Sequence, residues 1–191
     1  DRELAVRVAS PTGGGELWAA AWRWWERRSR VALGIAAPSP FGGIWSLDAS
    51  VETQAYGTSG SEISERRHGA NLTMSDWTSG VSRVKLGVAV DRWTDGTTAS
   101  LLSGVELAFA DGLVRVSLDG SIVAGGHRTA TATVAADWRS SESRVGSVWS
   151  ARTGFSAVGS EAPLALQPGA GTGQGRDVLL RAHHLLHDGV I

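Results

Sequence analysis

Cysteine is absent from this chain of 191 residues. That excludes disulfides, zinc–thiolate sites and a thiol nucleophile. Lysine occurs once, as Lys85, so almost all positive charge is arginine. The bias reads as compositional rather than functional. Phe (3), Tyr (1) and Met (1) are scarce. No stretch approaches the ~18 consecutive apolar residues of a transmembrane helix. Membrane-crossing strands, only about 9–11 residues long, are still allowed. The net charge of -1 carries no basic signature, so no nucleic-acid partner is expected. There is no G-x-S-x-G elbow and no recognisable pair of catalytic carboxylates. The chain is therefore not expected to be an enzyme, and no cofactor is expected.

What the chain has instead is alternation. In Arg30–Tyr56 two extended segments flank Pro38, Pro40, Phe41, Gly42 and Gly43, residues that reverse a chain. In the second segment Trp45, Leu47, Ala49 and Val51 fall on one face, and Ser46, Asp48, Ser50, Glu52 and Gln54 on the other. Successive side chains of a strand point to opposite faces, so one side is apolar and one strongly polar.

The pattern recurs along the chain. Arg2–Ser10 alternates and turns at Pro11–Gly15. Glu16–Trp25 carries Trp18, Trp22, Trp24 and Trp25 beside Glu26-Arg27-Arg28. Tryptophan beside arginine is what a membrane–water interface selects; a helix is the alternative, since Trp18, Trp22 and Trp25 share a helix face. After a polar loop over Gly57–Arg67, alternating stretches cover His68–Asp76, Arg83–Trp93, Thr98–Phe109, Leu113–Val123 and His127–Arg139, with a less clean one over Arg144–Val158. Turn signals stand at Ser79-Gly80, Asp95-Gly96, Asp111-Gly112 and Gly125-Gly126.

The expected fold is all-β, an antiparallel up-and-down transmembrane barrel of which about ten to eleven strands are present, in one domain over residues 1–191. Asp48, Glu52, Lys85, Asp91, Glu106, Arg115, Asp119 and Asp137 are the expected lumen-facing polar residues, and Trp18, Trp22, Trp24, Trp25, Trp45 and Trp138 the interface aromatics. A soluble β-sandwich also alternates. The apolar faces here are rich in Ala and Val and poor in Phe, thin for a packed core and sufficient against lipid.

The segment 159–178 differs: it lacks alternation and is rich in Gly and Pro, and is expected to be a long extracellular loop. Its glycines miss both phosphate-binding spacings, because Arg176 stands where a third glycine belongs and no lysine follows. His183 and His187, one helical turn apart with His184 and Asp188 nearby, give a weak metal-ligand pattern without the Glu of H-E-x-x-H. The chain begins at Asp1 and stops at Ile191 inside an apolar segment, and reads as a piece of a longer protein.

Alternating strands, a long loop and then Leu180-Arg181-Ala182-His183 resemble the Omp85 superfamily of outer-membrane barrels, the BamA/TamA-like bacterial surface antigen domain. In that family the loop folds into the lumen and ends in an apolar-Arg-Gly-aromatic motif; here Ala182 replaces the glycine and His183 the aromatic. The resemblance implies a cell outer-membrane location. It also implies a role in inserting or translocating polypeptides, with lipid, client polypeptides and periplasmic accessory proteins as partners. Arg181 would then pin the loop through a bidentate pair with a lumen carboxylate; an ordinary solvated loop arginine is the alternative. A passive porin-like channel and a soluble binding module are the other functions open to this pattern. If Pro38–Gly43 is a short periplasmic turn, the turns near Ser79, Asp111 and Ser141 are periplasmic too. Those near Asp95 and Gly125, and the loop from Ser160, are then external.

The two faces should respond differently to charge. Leu47→Arg or Val88→Arg, on the apolar face, should abolish membrane assembly, because a midplane charge on a barrel costs about 2–4 kcal/mol. Ser46→Arg or Ala89→Arg, on the polar face, should be tolerated. Heat-modifiable migration of the membrane-extracted protein reads the difference.

Overall fold

The computed structural model describes residues 3–25, 28–56, 63–126, 128–141, 148–159, 162, 169–170 and 185–186. Ten strands form one sheet, each hydrogen-bonded to the next in sequence: β1 (Glu3–Ala9), β2 (Leu17–Trp25), β3 (Arg28–Pro38), β4 (Ile44–Tyr56), β5 (Ile63–Trp77), β6 (Ser82–Arg92), β7 (Thr97–Phe109), β8 (Val114–Gly125), β9 (Thr129–Arg139) and β10 (Ser150–Val158). All neighbouring pairs are antiparallel. The described residues contain no helix, and Glu16–Trp25 resolves as strand, with β2 paired on both sides. Two further strands, β11 (Gly169–Ala170) and β12 (Leu185–Leu186), pair only with each other. They are the described part of the segment expected to form the long loop and its return. β1 and β10 do not pair, so the sheet is open.

The register separates the faces as the alternation demands. Large apolar side chains stand exposed on one face, among them Leu33 (60%), Leu86 (63%) and Ile122 (66%). Nothing among the described elements packs over them, since strands contact only their sequence neighbours to any extent. This outward face is the reverse of a sandwich, where the apolar side meets a second sheet. The other, inward face is concave. One hollow of about 400 Å³ reaches from Ala36 on β3 to Asp119 on β8, and another of about 450 Å³ from Ser46 on β4 to Thr133 on β9.

The sheet is also staggered. Following directly opposed residues from Ala9 leads through Leu17, Ala36, Ser46, Thr73, Gly87, Leu102, Ser121 and Thr131 to Val158. The row starts at the last residue of β1, beside the first turn. It leaves at the last residue of β10, at the opposite end of the sheet. Tilt and stagger of this kind are what closing a sheet on itself requires.

Two expectations need correction. The polar loop over Gly57–Arg67 is shorter, because β5 begins at Ile63 and pairs with β4 out to Tyr56. Ser64 and Arg66 lie on the outward face, so alternation of hydropathy disappears while the ladder continues. The stretch expected from Arg144 is described as strand only from Ser150; Ser140 and Trp149 close the connection, with Ser140 N donating to Trp149 O at 2.9 Å.

The turns at 10–16, 39–43, 78–81, 110–113 and 140–149 fall at one end of the sheet, and those at 93–96 and 126–128 at the other. In the first, Thr12 N donates to Glu16 Oε1 at 2.6 Å, and this hydrogen bonding from Thr12 holds the Glu16 carboxyl below the usual carboxylate range. In the second, Ser39 N donates to Gly43 O at 3.0 Å and Gly43 adopts φ 71°. A Cβ there would also stand 2.9 Å from Asp76 Cβ. Gly80, by contrast, has nothing within 4 Å of an added Cβ. Gly43→Ala should therefore cost at least the ~1–2 kcal/mol of a left-handed backbone, and Gly80→Ala little, as read by urea denaturation of the refolded protein.

Candidate functional site

Charge on the inward face is organised across strands, and its tightest cluster lies toward the 93–96 turn. Arg67 on β5 donates from Nε to Asp91 Oδ1 on β6 at 2.7 Å and from Nη1 to Glu52 Oε1 on β4 at 3.3 Å. Arg30 on β3 extends the chain of charge to Glu52 Oε2 at 3.8 Å. Trp93, just past β6, lies with its ring centroid 5.0 Å from Arg67 Cζ, within cation–π range. Its indole Nε1 donates to Thr98 Oγ1 at 3.0 Å, and Thr98 Oγ1 donates to the carbonyl of Asp91 at 3.5 Å. Thr98 and Trp93 are 1% and 3% exposed, and Asp91 and Glu52 are also buried. One cation is thus shared by two carboxylates and capped by an indole, so each buried charge has a partner.

The middle of the face carries hydroxyl pairs: Ser46 and Thr73 share a hydrogen bond at 2.6 Å, Ser121 and Thr131 at 2.7 Å, and Thr133 and Ser156 at 3.1 Å. Leu102 and Val123 also occupy inward positions, Val123 buried. Toward the other end, Lys85 Nζ on β6 reaches over Gly104 on β7 to Asp119 on β8. Arg83 donates to Ser75 Oγ at 2.7 Å, Arg115 pairs with Glu106 at 3.7 Å and Arg152 with Asp137 at 3.5 Å.

One device recurs three times. Gly34 stands directly opposite Asp48, Gly69 opposite Asp91, and Gly104 opposite Asp119. In each pair the carboxylate lies over the glycine: a Cβ would sit 2.6 Å from Asp48 Oδ1 at Gly34 and 2.5 Å from Asp91 Oδ1 at Gly69, with Asp119 equally close to Gly104. The missing side chain lets the aspartate lie flat along the wall.

All eight expected lumen residues fall on the inward face. The structure brings Glu52 together with Asp91, Lys85 with Asp119, and Glu106 with Arg115; Asp137 stands directly opposite Arg115 and pairs with Arg152, and Asp48 lines one hollow with Lys85 and Asp119. Sequence reasoning missed Arg67, Trp93 and Thr98. Arg67 and Trp93 sit in phase with Gly69 and Asp91, so extending the period past the apolar residues would have found them. Trp18, Trp22, Trp24 and Trp138 are exposed on the outward face and Trp45 is half-buried there. Trp25 ends β2, and its side chain is outside the described part. Trp18, Trp45 and Trp138 stand within two residues of one end of their strands, the end of the 39–43 turn, with Trp149 just before β10 at the same end; Trp77 ends β5 there in phase with the inward face. Trp22 and Trp24 meet with their rings tilted, centroids 5.0 Å apart, toward the opposite end. Leu180, Arg181, Ala182 and His183, together with His184, His187 and Asp188, lie outside the described residues.

No family model, curated protein or solved structure matches the chain.

Arg67→Met should destabilise the fold by about 3–5 kcal/mol, because it strands two buried carboxylates without their cation. Lys85→Met should cost no more than about 1 kcal/mol, since both partners of that pair are 42% exposed and screened by solvent. Equilibrium denaturation of the two variants side by side separates the cases.

Proposed function

We propose that the chain is barrel-forming sequence of a cell outer-membrane protein of Omp85 type, which handles client polypeptides without covalent chemistry. The observation that carries this reading is the outward face: exposed large apolar side chains run across it from Leu4 on β1 to Phe155 on β10, and the strand charges that do face outward, Arg66, Asp76 and Arg92, stand toward the ends of β5 and β6. An apolar surface of that size is tolerable only against an apolar solvent. The tryptophans gathered at one end suit the headgroup level, where an indole is half in and half out of water.

Closure fits the same geometry. Ten consecutive antiparallel strands leave β1 and β10 running in opposite directions, so an antiparallel ladder can join their free edges, directly or through further strands. In hydrocarbon an unpaired edge is costly, because its N–H and C=O groups find no water. The 39–43 end then faces the periplasm and the 93–96 end the cell surface, with the 159–178 loop external and Arg181 its lumen anchor. Outer-membrane lipid, clients and periplasmic accessory proteins are the partners.

A passive channel is the second reading. The two polar hollows and the hydroxyl pairs in the middle of the face favour it, since such a wall suits hydrated solutes.

The chain has no native cysteine, so engineered pairs report without background. Cysteines at Leu4, Val6 or Val8 of β1, each combined with Ala151, Thr153 or Phe155 of β10, should form an intramolecular disulfide in at least one register in membranes. Extraction without detergent overturns the barrel; a cross-link in no register shows that further strands stand between β1 and β10. A photo-cross-linker at Ala5 should capture nascent outer-membrane polypeptides; steady ion conductance without capture selects the channel instead.

A further inference from the structure

The outward face is not uniformly convex. Over β1–β4 it carries a trough of about 380 Å³ whose lining contains no polar or charged residue. Its origin is a contrast in side-chain size. Directly opposed residues run Val6, Ala20, Leu33 and Ala49 across the four strands, so two methyl groups mark low points in that row. One row away, about 6.6 Å along the strands, Trp18 and Leu47 rise beside it. Ala19 and Gly34, whose side positions are inward, also line the trough and supply main-chain floor. The volume lies within the roughly 300–1,000 Å³ range of small-molecule sites.

We propose that this trough holds a single acyl chain of a membrane lipid. The inference rests on the outward face meeting lipid, and it adds a defined binding position to that face. Apart from the indole N–H of Trp18, the lining side chains offer no hydrogen-bonding group, so a polar occupant would go largely unsatisfied. A second copy of the chain presents a largely convex apolar face, which cannot descend into a trough floored by Ala20 and Ala49. A methylene chain is narrow, apolar and already present in the solvent that the rest of the face contacts. It fills the low points and covers the flank of Trp18 without leaving a void.

The test uses the full chain inserted into nanodiscs of phosphatidylethanolamine and phosphatidylglycerol, released and weighed by native mass spectrometry. The wild type should retain a one-lipid mass increment at collision energies that strip other lipid. Ala20→Leu/Ala49→Leu, which fills the trough, should lose that increment while keeping heat-modifiable migration. Ser46→Ala, on the opposite face, should retain it. Equal retention by the wild type and the filled variant overturns the trough as a site and leaves the lipid-facing reading standing. A dimer mass in place of the lipid increment overturns it in favour of a second copy. Failure of the wild type to insert at all overturns both readings.

Discussion

Nine antiparallel ladders carry everything else in this molecule. They satisfy the backbone, and by fixing register they decide which face every side chain joins. A slip of one residue in any ladder would turn Leu, Val and Ile inward and Asp, Arg and Thr outward along a whole strand. The segregation of charge from apolar surface is therefore a property of pairing, not of packing. No layer behind the sheet enforces it among the described residues. Within the ten-stranded sheet, the strands whose outer edges have no neighbour among the described residues are β1 and β10. In water such edges invite association; in hydrocarbon they demand closure.

Cross-strand charge reinforces the ladders where the strands run longest. Glu52, Arg67 and Asp91 tie β4, β5 and β6 together, and Trp93 and Thr98 fasten β6 to β7. At the start of β5, beside this cluster, the side chains facing out are Ser64 and Arg66, and hydropathy no longer favours one register there. The ion pairs take over that task. Lys85 and Asp119, reaching over a glycine, serve the opposite half and remain open to solvent. The three glycine–aspartate pairs keep carboxylates close to the wall, so charge lines the cavity without narrowing it.

Strand number, order and face assignment were legible in the sequence because period-two hydropathy is strong wherever one side of a strand meets an apolar medium. Trp45 to Val51 and Val84 to Val90 show it without interruption. The signal failed at Ile63–Arg67, where both faces are polar and only backbone pairing with β4 defines the strand. It also passed over Trp93, which closes an alternating stretch without any local sign of a buried role. Its burial depends on Arg67, twenty-six positions earlier, a partner no local pattern reveals. The barrel expected from the alternation is shown only as far as one open antiparallel sheet, because closure depends on an edge-to-edge contact that no local pattern encodes. The trough on β1–β4 was not legible either, because the alignment of Ala20 with Ala49 exists only once β2, β3 and β4 are in register.

The row from Ala9 to Val158 has a kinetic consequence. Each hairpin joins strands adjacent in sequence, so nine of the ladders form from local contacts and can zip in order. Joining β1 to β10 is different in kind: it brings together residues almost 150 positions apart, after the stagger of every intervening pair has accumulated. Loop-closure entropy rises only slowly with length, but the geometric demand does not, since one wrong register anywhere leaves the two edges misaligned. Were such a sheet to close on itself, edge closure would be the last and most error-sensitive event of its assembly. As it stands, the sheet carries two bare strand edges that water or a partner must satisfy.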